Sequence, residues 1–273
     1  RQMCIRDSFY MAWALYMVSY LGYFQNLDIM KLRRECLELT RQAGSKVDEC
    51  GILTLLGFGA QHTGDYAAAE QHWHQAVDIA GKVGALSILV WSKAGLALAH
   101  FLKGEMDKAW QLAEEGLAIA DLPPSRTQAR AALSLVAGIS GDYALAKVFG
   151  QEGEVSSSKA PAIFYSGWCL ALASCGLGES GEAWRYLQAA AQVVRTLATW
   201  TWLLPIAAIL LAREGQTEKA VTIMGLVENH PLSARGWMEK WPLLARCRDR
   251  LQAQLGAETY AALWQEGGKM DLE

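Results

Sequence analysis

The residue types that most often carry chemistry are present in this chain, but their spacing does not assemble a recognisable site. The six cysteines lie far apart and include no C-x-x-C pair, which argues against a zinc site and against a disulfide scaffold. They are Cys4, Cys36, Cys50, Cys169, Cys175 and Cys247. His72 and His74 are two residues apart, so on a helix they point to different faces. The sequence therefore predicts buried thiols, ordinary surface histidines and no metal site.

Motifs for nucleotide binding and hydrolysis are also missing from the sequence. The segment from Gly57 to Gln61 has a Gly-x-Gly start but no lysine, and no G-x-x-x-x-G-K-[ST] phosphate loop occurs elsewhere. Neither G-x-S-x-G nor H-E-x-x-H is present. Paired carboxylates such as Glu114-Glu115 adjoin alanine-rich segments, where a solvated helix face is the normal explanation. The sequence predicts a protein that is not an enzyme and that uses no cofactor.

A turn that recurs along the chain predicts how the elements are organised. The turns are Gly64-Asp65-Tyr66, Gly104-Glu105-Met106, Gly141-Asp142-Tyr143, Gly178-Glu179-Ser180 and Gly215-Gln216-Thr217, at intervals of 40, 37, 37 and 37 residues. An alanine follows each glycine after five residues: Ala69, Ala109, Ala146, Ala183 and Ala220. Glycine can take the left-handed conformation that ends a helix, and a small residue lets the next helix approach closely. The interval is slightly longer than the roughly 34 residues of the tetratricopeptide repeat, which the pattern resembles.

The apolar residues recur at intervals of three and four, which predicts helices and no strands. We expect an all-α fold, a right-handed α-solenoid of about six antiparallel, tetratricopeptide-like helix pairs with a C-terminal capping helical tail. Inner helices are predicted near 9–24, 49–62, 86–102, 126–139, 160–176 and 199–213, and outer helices near 28–43, 66–81, 106–120, 142–152, 180–197 and 217–228. Ser125 is placed to cap the helix that follows it. Glycines shorten or fray the segment 147–158, Ser156-Ser157-Ser158 is a loop, and Pro205 kinks its helix unless it lies in the first turn.

Aromatic residues are the strongest candidates for a binding surface, because the chain contains eleven tryptophans. In the tetratricopeptide register, the positions that face the concave groove are Phe58, Gln61, Trp91, Phe101, Tyr165, Trp168 and Trp202. Such a face could clamp an extended peptide or a small apolar ligand. The alternative, which we favour for any single residue, is that these side chains pack between adjacent inner helices. Trp73, Trp110 and Trp184 are predicted to be core, and Trp237, Trp241 and Trp264 to fasten the tail onto the last repeat.

The final segment differs from the repeats. Two short helices are expected, near 241–255 and 257–266, separated by Gly256. The run Gly256-Ala257-Glu258-Thr259-Tyr260-Ala261-Ala262-Leu263-Trp264-Gln265-Glu266-Gly267, followed by Met270-Asp271-Leu272-Glu273, resembles the end of the helical sensor region in bacterial STAND-type signalling ATPases. That group includes LuxR-type and SARP-type transcriptional regulators. The resemblance implies an upstream nucleotide-binding domain, which this chain lacks, and a C-terminal fragment.

Composition and charge exclude several classes of function. The chain of 273 residues is 52% hydrophobic and carries a net charge of −3, which indicates a globular protein with no affinity of its own for nucleic acid or anionic membranes. The uncharged stretches 8–27 and 196–212 contain polar residues and precede amphipathic segments, so we expect buried inner helices instead of membrane spans. Widely spaced cysteines fit a reducing cytosol, and we predict a cytoplasmic protein.

The domain assignment and the functional hypotheses follow from these patterns. Residues 1–8 resemble a translated sequencing adapter and are expected to be non-native; 9–230 form the repeat array and 231–273 the capping helices. The main hypothesis is a noncatalytic sensor or protein-interaction domain of a signalling ATPase or regulator, which binds a protein, a peptide or a small inducer by population shift. The alternative is a scaffold that binds a partner peptide without an attached ATPase. We also expect self-association, because a truncated array exposes apolar end faces.

Overall fold

The computed structural model of this chain describes residues 29–120, 123–154, 160–194 and 196–270. In these ranges the regular secondary structure is entirely helical and comprises fourteen helices. They are α1 (Ile29–Ala43), α2 (Lys46–His62), α3 (Tyr66–Val83), α4 (Leu86–Lys103), α5 (Met106–Ile119), α6 (Pro123–Ile139), α7 (Tyr143–Glu154), α8 (Ala160–Leu177), α9 (Ser180–Val193), α10 (Leu197–Arg213), α11 (Thr217–Asn229), α12 (Gly236–Glu239), α13 (Pro242–Leu255) and α14 (Ala257–Gly267). The predictions for residues 1–28 and for Ser156-Ser157-Ser158 lie outside the described residues.

The turns predicted from the glycine repeat are confirmed. Gly64, Gly104, Gly141, Gly178 and Gly215 all have φ between 80° and 95°, in the left-handed region that favours glycine. The alanines five residues after each of them are buried, each at most 1% exposed. Each outer helix can therefore approach the inner helix before it closely, and consecutive helices pack pairwise as they do in an α-solenoid.

Glycines inside the helices create room for large side chains on neighbouring helices. Trp73 of α3 is completely buried. A Cβ atom at Gly57 of α2 would lie 2.5 Å from the indole Nε1 of Trp73, and a Cβ at Gly95 of α4 would lie 2.3 Å from its Cε2. Trp73 thus occupies a slot between two inner helices that exists because both helices lack a side chain at that level.

Three corrections to the predicted helices are needed, and the position of Pro205 within its helix is established. Helix α6 begins at Pro123, so Ser125 lies inside the helix and does not cap it; proline is well suited to the first helical position because it has no N–H to leave unpaired. Helix α9 ends at Val193, earlier than predicted. Pro205 lies in the middle of α10, and the helix continues past it to Arg213. The single-turn helix α12 has no counterpart among the predictions.

The C-terminal helices return to the last helix pair. Gly256 has φ 78° and separates α13 from α14, as predicted. A Cβ at Gly225 of α11 would lie 2.3 Å from the carbonyl oxygen of Trp264 in α14, and a Cβ at Gly267 would lie 1.9 Å from the carbonyl oxygen of Thr222. Helices α11 and α14 therefore pack with their backbones in close contact, at two levels along their length.

One of the described helices, α4, is long and apolar enough to cross a membrane by length and composition alone. About 61% of it is buried inside the fold, and the core helix of a soluble protein passes the same test. Two shorter apolar segments, Phe164–Leu177 and Leu197–Arg213, also lie within inner helices. The second of these overlaps the uncharged stretch 196–212 of the sequence, and most of its residues are buried.

Candidate functional site

The structure places the seven predicted groove residues in two different environments. Five of them are buried, each no more than 2% exposed: Gln61, Phe101, Tyr165, Trp168 and Trp202. Phe58 and Trp91 are half-buried. A ligand arriving from solvent can therefore reach Phe58 and Trp91 directly, whereas the other five side chains are covered by neighbouring parts of the chain.

The buried aromatic side chains meet in one cluster, which we call the central aromatic cluster and define as Phe101, Trp168, Trp202 and Trp237. The rings of Trp168 and Trp202 are stacked, with centroids 5.2 Å apart, and Phe101 meets Trp168 edge-on at 5.8 Å. Trp237 stacks on Phe101 at 5.8 Å and meets Trp168 edge-on at 5.9 Å. These side chains come from α4, α8, α10 and α12, so the cluster joins helices that are far apart in the sequence.

Phe58 and Trp91 form a separate group nearer the start of the array. Their rings are 6.1 Å apart and nearly perpendicular, and Phe58 also meets Trp73 edge-on at 5.2 Å. This group connects only neighbouring helices, α2, α3 and α4. It therefore matches the arrangement expected for aromatic side chains that pack between adjacent helices of a repeat array.

A small polar network borders the central aromatic cluster. The Nε2 atom of His62 lies 3.0 Å from the hydroxyl of Tyr165, and the imidazole meets the ring of Trp202 edge-on at 5.9 Å. The side-chain amide of Gln61 donates to the same tyrosine hydroxyl over 3.4 Å. Burial, with a smaller effect from the positive charge of Arg33, lowers the pKa of His62 to about 4. His62 is therefore neutral near pH 7, which suits an apolar site and does not suit acid–base chemistry.

Two of the tail tryptophans contact helices well upstream of the last repeat, which the sequence did not predict. Trp237 lies in the central aromatic cluster, and the Nε1 atom of Trp241 donates to the hydroxyl of Tyr143 in α7 over 3.4 Å. Trp264 contacts the last pair through α11. The repeat register could not reveal these contacts, because Trp237 and Trp241 lie beyond the last repeat and their partners lie about 70 to 140 residues upstream. The one feature of the sequence that could have indicated these contacts is the presence of two tryptophans, Trp237 and Trp241, in a segment that belongs to no repeat.

The remaining candidate groups offer little reactivity. The five described cysteines, Cys36, Cys50, Cys169, Cys175 and Cys247, are buried as predicted. Burial raises the pKa of Cys50 to about 11 and the pKa of both Cys169 and Cys175 to about 12, so these groups are thiols at neutral pH and poor nucleophiles. Among the described residues no group of three or more His, Cys, Asp or Glu could hold a metal ion.

A cavity of about 550 Å³ lies between α1 and α3, with α2 as its floor. Its wall combines apolar side chains such as Met30 and Leu56 with polar ones, including Arg34, Asp65 and His72. His72, which the sequence assigned to an ordinary surface, is half-buried, and burial lowers its pKa. The cavity was not predicted from the sequence.

Comparison with known proteins does not assign the chain to a family. No protein-family model matches the chain, and no curated protein matches it.

Proposed function

We propose that this chain is a noncatalytic sensor or protein-interaction domain of a bacterial signalling ATPase or transcriptional regulator, built as a right-handed α-solenoid of about six tetratricopeptide-like pairs. It binds a protein, a peptide or a small inducer on its concave, aromatic-rich face and acts in the cytoplasm. The resemblance of the segment 256–273 to the end of such sensor regions supports the family part of the proposal. The observation that carries the functional part is the central aromatic cluster.

This cluster supports a sensing role because it ties together helix pairs that do not touch in a simple solenoid. In most repeat arrays each repeat contacts only its neighbours. Here His62 of α2 lies against Trp202 of α10, and Phe101 of α4 lies against Trp168 of α8. A change in the curvature of the array must therefore alter contacts at the cluster. A ligand that binds one curvature better shifts the population toward it, and an attached domain can respond to that shift.

The noncatalytic part of the proposal is supported by the titratable groups near the aromatic face. The imidazole of His62 has a pKa of about 4, and the thiol of Cys169 has a pKa of about 12. A general acid or base works best when its pKa is near the operating pH, and a cysteine nucleophile needs a lowered pKa. Both groups are shifted in the opposite sense from the one that catalysis requires, so recognition is the better explanation for this face.

The experiment that tests the proposal is a thermal-shift screen of the whole chain against metabolites and peptides. Every hit is retested on Trp91→Ala, which changes the accessible part of the aromatic face, and on Trp184→Ala, a half-buried tryptophan of the outer helix α9 that serves as the matched control. At a concentration of about 100 times Kd a ligand stabilises the folded state by about 2.7 kcal/mol. That corresponds to a rise in Tm of about 5–11 °C for a domain of this size.

The expected result is a Tm shift that is retained in Trp184→Ala and strongly reduced in Trp91→Ala. A hit that stabilises both variants equally would place binding elsewhere and refute the concave-face proposal. A third outcome is that no compound binds this chain while a compound does bind a longer protein that also contains the proposed upstream domain. That outcome would assign sensing to the upstream domain and leave this array as a coupling scaffold.

A further inference from the structure

The segment between α11 and α13, residues 230–241, crosses the ends of three successive helix pairs; we call it the strap. These ends are the turns at Gly64, Gly104 and Gly141. Just after the first turn, the hydroxyl of Tyr66 donates to the carbonyl oxygen of Leu232 over 2.8 Å. Further along, Gly236 lies against the second turn, and Trp241 donates to Tyr143 just after the third. The strap therefore follows the array in register, with four to five of its residues spanning each repeat.

The strap delivers one side chain into the middle of the central aromatic cluster. Trp237 is 0% exposed and has aromatic neighbours on several sides: Phe101, Trp168 and Trp241, all at 5.8–5.9 Å. Phe101 and Trp168 were predicted from the sequence to line a groove that clamps an extended peptide. In the structure, a segment of the chain itself occupies the position that such a peptide would take.

The fit depends on a glycine that immediately precedes the tryptophan. A Cβ atom at Gly236 would lie 2.2 Å from both the carbonyl carbon and the carbonyl oxygen of Lys103, and 2.8 Å from the amide nitrogen of Gly104. These are backbone atoms of the second turn, so they cannot move aside as the end of a side chain would. The site therefore selects for a Gly-Trp pair by backbone contact and by an aromatic pocket together.

The polar groups of the site are incompletely satisfied while the strap occupies it. In the described part of the chain, the indole Nε1 atoms of Trp168 and Trp237 are buried and have no hydrogen-bond acceptor. Three side-chain hydrogen bonds join the strap to the preceding repeats, from Tyr66 to Leu232, from Trp241 to Tyr143 and from Arg235 to the carbonyl oxygen of Glu228. A buried donor without an acceptor is costly. Of the two donors only Trp168 belongs to the docking site, so a peptide that presents a carbonyl or carboxylate oxygen to its Nε1 would gain a hydrogen bond that the strap does not make.

The helices that follow the strap have contacts of their own with the last pair. Helix α14 packs tightly on α11 through Gly225 and Gly267, so the C-terminal helices remain attached to the last pair independently of the strap. The strap carries two exposed basic residues, Arg235 and Lys240, on either side of Trp237. It is anchored at both ends, and its buried side chains are those of Ala234, Trp237, Met238 and Trp241.

We propose that the strap is a built-in occupant of a peptide-docking site, and that the partner of this site is an extended protein segment containing Gly-Trp, which replaces the strap. This inference rests on the proposed function and deepens it by naming the chemistry of the partner. Before a partner binds, the strap competes at the high effective concentration that covalent linkage provides. The strap therefore keeps the site closed and sets a threshold for the partner.

The test uses the whole chain and a fluorescein-labelled peptide with the sequence of residues 229–242 as the probe. Binding is measured by fluorescence polarisation for the wild-type chain, for Gly236→Ala and for Gly181→Ala. The methyl group added by Gly236→Ala prevents the strap from seating and leaves every residue of the docking site intact. Gly181→Ala is the matched control, because a Cβ there meets no atom within 4 Å. A second peptide, with Trp237 replaced by alanine, controls for nonspecific binding.

The expected result is that Gly236→Ala binds the peptide at least about ten-fold more tightly than the wild-type chain and Gly181→Ala do, because the competing strap is gone. The alanine-containing peptide does not bind. Trypsin also cleaves Gly236→Ala faster at Arg235 and Lys240, while the helical circular dichroism signal is retained. Absence of peptide binding to a helical, strap-cleavable Gly236→Ala chain would overturn the proposal.

A second variant covers the case in which Gly236→Ala fails to fold. Tyr66→Phe removes the hydrogen bond to Leu232 and keeps the ring, and it is expected to raise the rate of tryptic cleavage in the strap about five-fold. Unchanged cleavage in Tyr66→Phe, together with global unfolding of Gly236→Ala, would identify the strap as an integral part of the core and refute the proposal. If the labelled peptide does not bind, but a ligand raises Tm in the wild-type chain and not in Trp91→Ala, the proposed function stands and only the docking inference is wrong.

Discussion

Truncation of Trp237 is expected to destabilise the whole array, although this residue lies beyond the last repeat. Its side chain is completely buried and contacts Phe101, Trp168 and Trp241. Replacement of a buried tryptophan by alanine removes its apolar surface from the core and leaves a cavity, at a cost of about 3–5 kcal/mol. For a domain of this size, Trp237→Ala should lower Tm by about 6–20 °C.

A double-mutant cycle tests the reason for this loss. If Trp237 stacks on Phe101, the free energies of unfolding of Trp237→Ala, Phe101→Ala and the double variant should reveal a coupling of about 0.5–1.5 kcal/mol. The matched control pairs Trp237→Ala with Phe149→Ala, because Phe149 of α7 lies against Trp110 and away from the cluster. For this pair the two costs should add to within about 0.5 kcal/mol.

The measurement is chemical denaturation followed by circular dichroism, with the slope of the transition compared among all variants. A cost below about 1 kcal/mol for Trp237→Ala, the usual range for surface substitutions, would refute the reasoning. Equal coupling of Trp237 to Phe101 and to Phe149 would also refute it, because the effect would then not arise from the contact. Either result would favour attachment of the tail to the last repeat alone.

Two further predictions concern the core and the polar network. Gly95→Ala should destabilise the fold by about 1–3 kcal/mol, because the new methyl group meets Trp73. Gly81→Ala should stabilise it by up to about 1 kcal/mol, since alanine favours helix and the space there is open. Thermal melts should therefore show Tm changes of opposite sign for the two variants, and changes of the same sign would disprove the slot for Trp73. Burial holds the folded-state pKa of His62 at about 4, below the unfolded value of about 6.5. The free energy of unfolding should therefore be highest above pH 6.5 and should decrease by up to about 3 kcal/mol as the pH falls toward 4. This loss should be smaller in His62→Gln, and an identical pH profile for both chains would contradict the assignment.

Local patterns in the sequence were sufficient to predict most of the described helices. A glycine with positive φ and an alanine five residues later specify where one helix ends and how closely the next one packs, and both features depend only on neighbouring residues. The errors lie at element ends, where several signals compete: Ser125 is a good capping residue, but Pro123 starts the helix first. Pro205 lies within α10, where most neighbouring residues are buried.

The candidate site was predicted in part. The register identified Phe101, Tyr165, Trp168 and Trp202 as residues of one face, because positions that repeat along the array share a direction. The register could not predict that Trp237 of the strap packs against this face. The position of Trp237 depends on the path of the strap around the array, and that path results from contacts between residues more than 130 positions apart.

The sequence by itself determined the periodic features: the helices, the turns and the face on which the aromatic side chains lie. Each of these follows from interactions within about 40 residues, which leave a regular signal in the chain. Only the tertiary structure decided the features without periodicity, namely the contact between α2 and α10, the insertion of Trp237 and the close approach of Gly236 to the turn at Gly104. Small rotations between repeats add up along an array, so the distance between its two ends is a property of the whole fold and of no single segment.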